Sequence, residues 1–178
     1  MKVSIADIKD KALVFSTDES VGDYPILAAM QNAGECGFLS PIRLQLTVVR
    51  EYDHIRVNGR VEARVRLNCS RCLKEYETEV FSSFTIFYTP AAGMPQDEEV
   101  ELAEEDLISA TYGGDEIDFT SEIAEQVAME IPFQPLCKED CRGLCTRCGA
   151  DLNGAECGCD RTVENVKLSA LKNFKIKK

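Results

Sequence analysis

Eight of the nine cysteines in this 178-residue chain fall into four short-spaced pairs. Cys69 and Cys72 form a C-x2-C, Cys137 and Cys141 a C-x3-C, Cys145 and Cys148 a second C-x2-C, and Cys157 and Cys159 a C-x-C. Only Cys36 has no near neighbour. A tight turn can present two thiolates to one side of an ion, and tetrahedral zinc takes four ligands. Four pairs therefore suffice for two four-cysteine sites. The odd total argues against a framework built only of disulfides.

The spacing leaves two arrangements open. In the first, Cys69 and Cys72 meet Cys137 and Cys141 at one ion, and Cys145, Cys148, Cys157 and Cys159 hold another, so every pair completes a pair. In the second, one ion sits in the carboxy-terminal block, and Cys69 and Cys72 stay reduced or lightly metallated. One or two zinc ions per chain are expected. The segment Leu144–Gly149 has the form of a zinc knuckle, its glycine permitting the positive φ that brings backbone amides to the sulfurs. Spacing alone does not exclude an iron–sulfur cluster. A redox dithiol at Cys69 and Cys72 is a weaker reading, because such pairs sit at a helix amino terminus in a βαβ unit.

The elements that would position these thiols read as follows. Ile42, Leu44, Leu46 and Val48 alternate with polar neighbours, as a strand does. After a turn at Glu51-Tyr52-Asp53, Ile55, Val57, Gly59, Val61, Ala63, Val65 and Leu67 hold one phase. Arg56, Asn58, Arg60, Glu62, Arg64 and Arg66 hold the other. The unbroken phase predicts one long strand with a bulge or bend at Gly59, not a hairpin turn. A third strand carries Tyr76, Thr78, Val80, Phe84, Ile86 and Tyr88. Cys69-Ser70-Arg71-Cys72 thereby lies at a hairpin tip, where a metal knuckle can form. Asp118 or Thr120 can cap a helix to Glu130, with Ile123, Val127 and Ile131 on its apolar stripe.

Elsewhere the pattern is weaker. Ile5, Ile8 and Leu13 with Lys9 and Lys11 suggest a short helix, followed by breaks at Gly22, Pro25, Gly34 and Gly37. Pro90 to Pro95 is a break before an acidic stretch at 97–106. Leu168, Leu171 and Phe174 suggest an amphipathic helix in a basic tail. The expected class is α+β: an antiparallel meander with a few helices and a small cysteine-rich zinc-binding module. The expected division is an α+β domain at 1–136, the module at 137–160 and the tail at 161–178.

Net charge is −11, unevenly spread. Residues 97–130 carry thirteen acidic and no basic side chains, whereas residues 161–178 carry six basic and one acidic. Such a chain should not bind nucleic acid indiscriminately, since counterion-driven affinity needs a basic surface. Local contact is another matter: Arg56, Arg60, Arg64 and Arg66, with Arg71 nearby, could touch phosphates. The alternative is a solvated sheet face neutralised by the acidic segment. Few aromatics interleave, so base stacking is unsupported.

The amino terminus lacks the basic-then-apolar run of a signal peptide, and no stretch approaches about 18 apolar residues. A cytoplasmic protein with no membrane partner is expected, where clustered thiols signal metal or redox chemistry. No phosphate loop, nucleophile elbow or HExxH occurs, so no catalytic residue, enzyme activity or small-molecule substrate is expected. His54 reads as a surface or packing residue, and Cys36 as a small buried side chain.

Cys69-Ser70-Arg71-Cys72-Leu73, the helix ending Glu130-Ile131-Pro132, the run from Cys137 to Asn153, and Cys157-Gly158-Cys159 together resemble the YceD family. These are the bacterial large ribosomal RNA subunit accumulation proteins. The closing Leu168-Ser169-Ala170-Leu171-Lys172 is similar to that family's ending. The resemblance implies a non-enzymatic ribosome-biogenesis factor supporting synthesis, processing or stability of large-subunit ribosomal RNA. Expected partners are precursor ribosomal RNA or a basic large-subunit ribosomal protein, to which the segment 97–130 is complementary in charge. The competing expectation is a cytosolic thiol-redox or iron–sulfur protein.

Overall fold

The computed structural model describes residues 1–9, 11–52, 54–91 and 109–160. In chain order come strand β1 (Lys2–Ser4), a 3-10 turn (Ile5–Asp7), β2 (Leu13–Glu19), a 3-10 turn (Val21–Asp23), helix α1 (Pro25–Asn32) and the short β3 (Gly37–Phe38). Then follow β4 (Ile42–Glu51), β5 (His54–Asn68), β6 (Glu75–Pro90), β7 (Ser109–Tyr112), β8 (Glu116–Asp118) and α2 (Thr120–Glu130).

Alternation builds the main sheet. Ile42, Leu44, Leu46 and Val48 of β4 are buried with Ile55, Val57, Val61, Ala63 and Val65 of β5, because successive side chains leave a strand on opposite faces. Helices cover that face, with Leu27 of α1 and Ile123, Ala124 and Val127 of α2 sharing the core with Tyr24 and Phe119. The sheet order is β2-β4-β5-β6-β7, with β3 alongside β5, and a separate small sheet pairs β1 with β8. The class is α+β. The meander β4-β5-β6 is antiparallel, but β7 joins β6 in parallel, so the sheet is mixed.

Two amino-terminal expectations are corrected. The expected helix around Ile5–Leu13 is only a 3-10 turn at Ile5–Asp7, and Leu13 opens β2. Leu13 and Phe15 pack on the core while Val14 is 73% exposed, a period of two that the spacing of Ile5, Ile8 and Leu13 concealed. Pro25 does not break the chain but starts α1. Its fixed φ suits the first helical turn, where a missing N–H costs nothing.

Gly59 is also not a bulge. Leu46, Gly59 and Phe84 stand opposite one another in unbroken ladders on both sides of β5. The glycine serves a neighbour instead: a Cβ there would lie 2.1 Å from the Phe84 ring. The ring lies over the bare backbone and fills the gap in the row.

Helix α2 follows its sequence signals except at its start. The cap is corrected: the N-cap position is Phe119 with no side-chain cap, and Asp118, one residue earlier, accepts the Thr120 backbone N–H at 3.0 Å. Ile123 and Val127 are buried as expected, and the chain leaves the helix before Pro132. The acidic stretch 97–106 and the tail helix at Leu168, Leu171 and Phe174 lie outside the described residues. Among the described residues, no helix is long and apolar enough to cross a membrane.

Candidate metal centres

The β5–β6 connection turns tightly enough to aim two sulfurs the same way. The Cys69 N–H donates to the Lys74 carbonyl and the Leu73 N–H to the Cys69 carbonyl, both at 2.9 Å. Leu73 adopts φ 60° to close the turn. The stretch following α2 is drawn onto this tip: the Ser70 N–H donates to the Pro135 carbonyl at 2.7 Å. Cys137 and Cys141 thereby arrive opposite Cys69 and Cys72.

The four sulfurs form a compact group. Cys69 and Cys141 Sγ are 3.7 Å apart, as are Cys72 and Cys137 Sγ, and all four lie within 4.8 Å of one another. A disulfide would need about 2.05 Å. Sulfurs bound to one tetrahedral zinc at about 2.3 Å stand about 3.8 Å apart. The spacing matches an ion cradle, and every described cysteine is a free thiol.

A second group forms further along the chain. Cys145, Cys148, Cys157 and Cys159 also place their sulfurs within 4.8 Å of one another. The Gly149 N–H donates to the Cys145 carbonyl at 2.8 Å, with Gly149 at φ 72°. Cys69, Cys72 and Cys141 are buried and Cys137 half-buried, whereas in the second group only Cys145 is buried and Cys148 is exposed. Of the two arrangements open in the sequence, the thiols are grouped as two quartets.

The local fields favour anionic sulfur at one member of each quartet. Backbone N–H groups of Cys137, Cys72 and Arg71 lower the Cys69 thiol to about 6. Those of Cys148 and Arg147 lower Cys145 to about 6. Burial, then the crowding of neighbouring thiols, pushes Cys137 up to about 12. The Cys148 and Cys157 thiols push Cys159 up to about 12. At Cys137 and Cys159 the neighbouring sulfurs oppose loss of the proton, and a dication held between the sulfurs would reverse that penalty.

Gly143 and Arg71 lock the two quartets together. The Leu144 N–H donates to the Arg71 carbonyl at 3.0 Å, and the Arg71 guanidinium donates to the Cys141 carbonyl at 2.8 Å. Gly143 has φ 73°, and a Cβ there would stand 2.9 Å from the Arg71 carbonyl oxygen. Both constraints demand glycine. Gly143→Ala is therefore expected to cost about 1–3 kcal/mol of stability, read as a lower unfolding midpoint with all eight thiols present.

The arginines occupy the sheet face opposite the helices. Arg56 pairs with Glu51 at 2.5 Å, Arg60 with Glu62 at 3.2 Å, Arg64 with Glu77 at 3.1 Å and Arg66 with Glu77 at 3.5 Å. Their carboxylate partners come from the sheet itself. The pairs of Arg60, Arg64 and Arg66 are solvent-exposed and weakly held, whereas Arg56 and Glu51 are half-buried. Arg60 also stacks 4.4 Å above the Phe81 ring. A groove of about 430 Å³ crosses this face, lined by Arg43, Arg60, Arg64 and Phe81 among others. Arg43 and Phe81 are absent from the sequence-based candidates, although both fall in the outward phase of their strands. Arg71 stands apart, turned to the Cys141 and Glu139 carbonyls. His54 packs edge-on against Phe87 and faces Glu51, and Cys36 is buried, its thiol raised by desolvation.

The sequence model of the family described as large ribosomal RNA subunit accumulation protein YceD matches residues 57–175. Among similar proteins is the chloroplastic large ribosomal RNA subunit accumulation protein YCED homolog 1 of Arabidopsis thaliana, 25% identical over 164 residues, 76% of this chain and 49% of the relative. Its Zea mays counterpart is 28% identical, over 75% of this chain and 53% of its own length. An uncharacterized protein of Mycobacterium leprae is 33% identical over 64% of this chain and 50% of its own. The chain thus spans about half the length of the curated relatives it matches. No solved structure matches it. The matched span takes in both quartets and most of the strands that carry them, and the chain belongs to the YceD family, named for the accumulation of large-subunit ribosomal RNA.

Proposed function

We propose that this chain is a non-enzymatic, cytoplasmic factor in ribosome biogenesis, supporting the synthesis, processing or stability of large-subunit ribosomal RNA. In this reading Cys69, Cys72, Cys137 and Cys141 hold one structural zinc, and Cys145, Cys148, Cys157 and Cys159 a second. Residues 137–160 then form a metal-dependent module on the hairpin tip. The observation that carries the metal reading is the 3.7 Å sulfur spacing inside a quartet. Eight thiols gathered within 4.8 Å in fours suit one ion per quartet and leave little room for a multi-iron cluster. Zinc adds charge and rigidity without redox chemistry.

Two surfaces suit the expected partners. The arginine face offers exchangeable guanidinium groups to precursor ribosomal RNA. The outer side of α2 is acidic, with Glu125 and Glu130 exposed beside Met129 at 78% and Phe133 at 97% exposure. That combination suits a basic ribosomal protein with an apolar anchor. Measuring the metal content and bound partners of the protein purified from cells tests the whole reading. A colourless protein with two zinc ions, recovered with precursor RNA or a basic large-subunit protein, is the expected result. A brown protein, or a fast-reacting Cys69 and Cys72 pair, supports the thiol-redox or iron–sulfur alternative.

Changing Arg60, Arg64 and Arg66 together to alanine should weaken ribosomal-RNA binding and flatten its salt dependence, by about one unit of slope for each phosphate no longer neutralised. Filter binding across a salt series measures it. No RNA affinity at any salt, with binding to a basic ribosomal protein intact, makes the acidic side of α2 the working surface.

A further inference from the structure

Asn153 belongs to the loop framed by the second quartet, yet its side chain reaches the first. Its Nδ2 donates to Cys141 Sγ at 3.4 Å and to Asp151 Oδ1 at 2.8 Å. Its Oδ1 accepts the Arg142 backbone N–H at 2.8 Å. An asparagine amide has two donor hydrogens and one carbonyl, and all are used. The Arg142 N–H also fixes which way the amide faces, since only a carbonyl oxygen can accept it. Asp151 in turn accepts the Asn153 N–H at 2.9 Å and pairs with Lys74 of the hairpin tip at 2.5 Å.

The loop that carries Asn153 runs from Cys148 to Cys157, between ligands of the second quartet. A metal held there clamps both ends of the loop and so holds the amide against Cys141. A hydrogen bond from outside the ligand set fixes where a ligand sulfur points, and losing such a bond weakens metal binding. Arg142, Gly143 and Leu144 are the only residues between Cys141 of one quartet and Cys145 of the other.

We propose that Asn153 couples the two metal sites, so that filling the second tightens the first. The proposal rests on the reading of both quartets as metal sites. Coupling of this kind is reciprocal: whatever factor the second metal adds to the first site's affinity, the first adds to the second. Asn153 is a positioning residue here, acting through Cys141.

Cobalt(II) alone, titrated into the full-length protein against a competing chelator, reports each site through its thiolate absorption. A C148S/C157S variant isolates the first site, and C69S/C72S identifies the second. Asn153→Ala should weaken the first site about 10- to 100-fold while both sites still fill. Asn153→Asp keeps the shape and the acceptor for Arg142 but sets a carboxylate against the sulfur, and should weaken it at least as much. C148S/C157S should weaken the first site by a similar factor, and adding Asn153→Ala to it should change little, since the loop is already released. The coupling is overturned if the first site keeps its affinity in Asn153→Ala and Asn153→Asp. It is equally overturned if the losses from Asn153→Ala and C148S/C157S simply multiply. Wild-type protein that takes up no cobalt at either site removes the metal reading itself, a different result from two sites that fill independently.

Discussion

Cys69→Ser is expected to halve the metal content and release the module at 137–160 from the hairpin tip, while the β4-β5-β6 core stays folded. Structural zinc in small finger peptides contributes about 10–16 kcal/mol of apparent binding free energy. That rivals the whole stability of a typical domain, about 5–15 kcal/mol. What remains at the junction is a small apolar cluster with Tyr76, Leu136 and Leu144, the Lys74–Asp151 pair, and a handful of hydrogen bonds, such as Ser70 N–H to Pro135 and Arg71 to Cys141. Each hydrogen bond contributes about 0.5–1.5 kcal/mol, and the junction as a whole contributes less than the metal would. Metal analysis and limited proteolysis provide the check: cleavage should appear between residues 133 and 160, with strands β4 to β6 protected. Two bound metals and an unaltered digestion pattern would remove Cys69 from the ligand set. Exhaustive chelation should reproduce the same pattern in the wild-type chain, and lower pH should promote metal loss because protons compete for the thiolates.

Gly59→Ala should destabilise the sheet by about 1–3 kcal/mol, the usual range for overpacking. The new methyl would sit inside the Phe84 ring, 2.1 Å from its nearest atom, so the ring must leave its place on the core. Alanine gains about 0.5–1 kcal/mol over glycine in strand backbone entropy, less than the clash costs. Chemical denaturation measures the difference. Shrinking the neighbour with Phe84→Leu should recover part of the loss, so that the double variant is more stable than the two single effects predict. If Gly59→Ala unfolds at the wild-type midpoint, the ring is not confined by its surroundings and moves aside freely.

The parts of this molecule readable from its residues are those with a strict local period. Strands β4, β5 and β6 declare themselves because one face is buried and every second residue must be apolar. Helix α2 does so through its apolar stripe and Pro132, although its N-cap proves to be Phe119. Strand β2 hides because only Leu13 and Phe15 face the core, and two residues do not establish a period. The parallel pairing of β7 with β6 joins segments far apart in the chain, which no local pattern encodes. Gly59 shows the same limit at one residue, since its reason lies in Phe84, twenty-five positions away.

The grouping of the cysteines was legible only as a choice between two schemes. Spacing shows which thiols share a turn, but not which turns meet. Their meeting depends on Pro135 reaching Ser70, a contact that follows from where α2 ends on the sheet. Asn153 left no signal beyond a residue able to turn the chain, because its use depends on a sulfur in the other quartet. The arginine face was readable as a phase of β5, whereas its partners Glu51 and Glu77 lie on neighbouring strands and emerge only with the register.

The first quartet also sets an order of events during synthesis. Cys72 and Cys137 are 65 residues apart in the chain. At about 5–20 residues per second, a ribosome needs roughly 3–13 s to travel that interval. Throughout it the emerging hairpin carries two thiols whose partners do not yet exist. An oxidant that joins Cys69 to Cys72 in that window would leave the late-arriving half nothing to close upon, so with a metal holding the finished quartet, newly made chains would be the more vulnerable to oxidation.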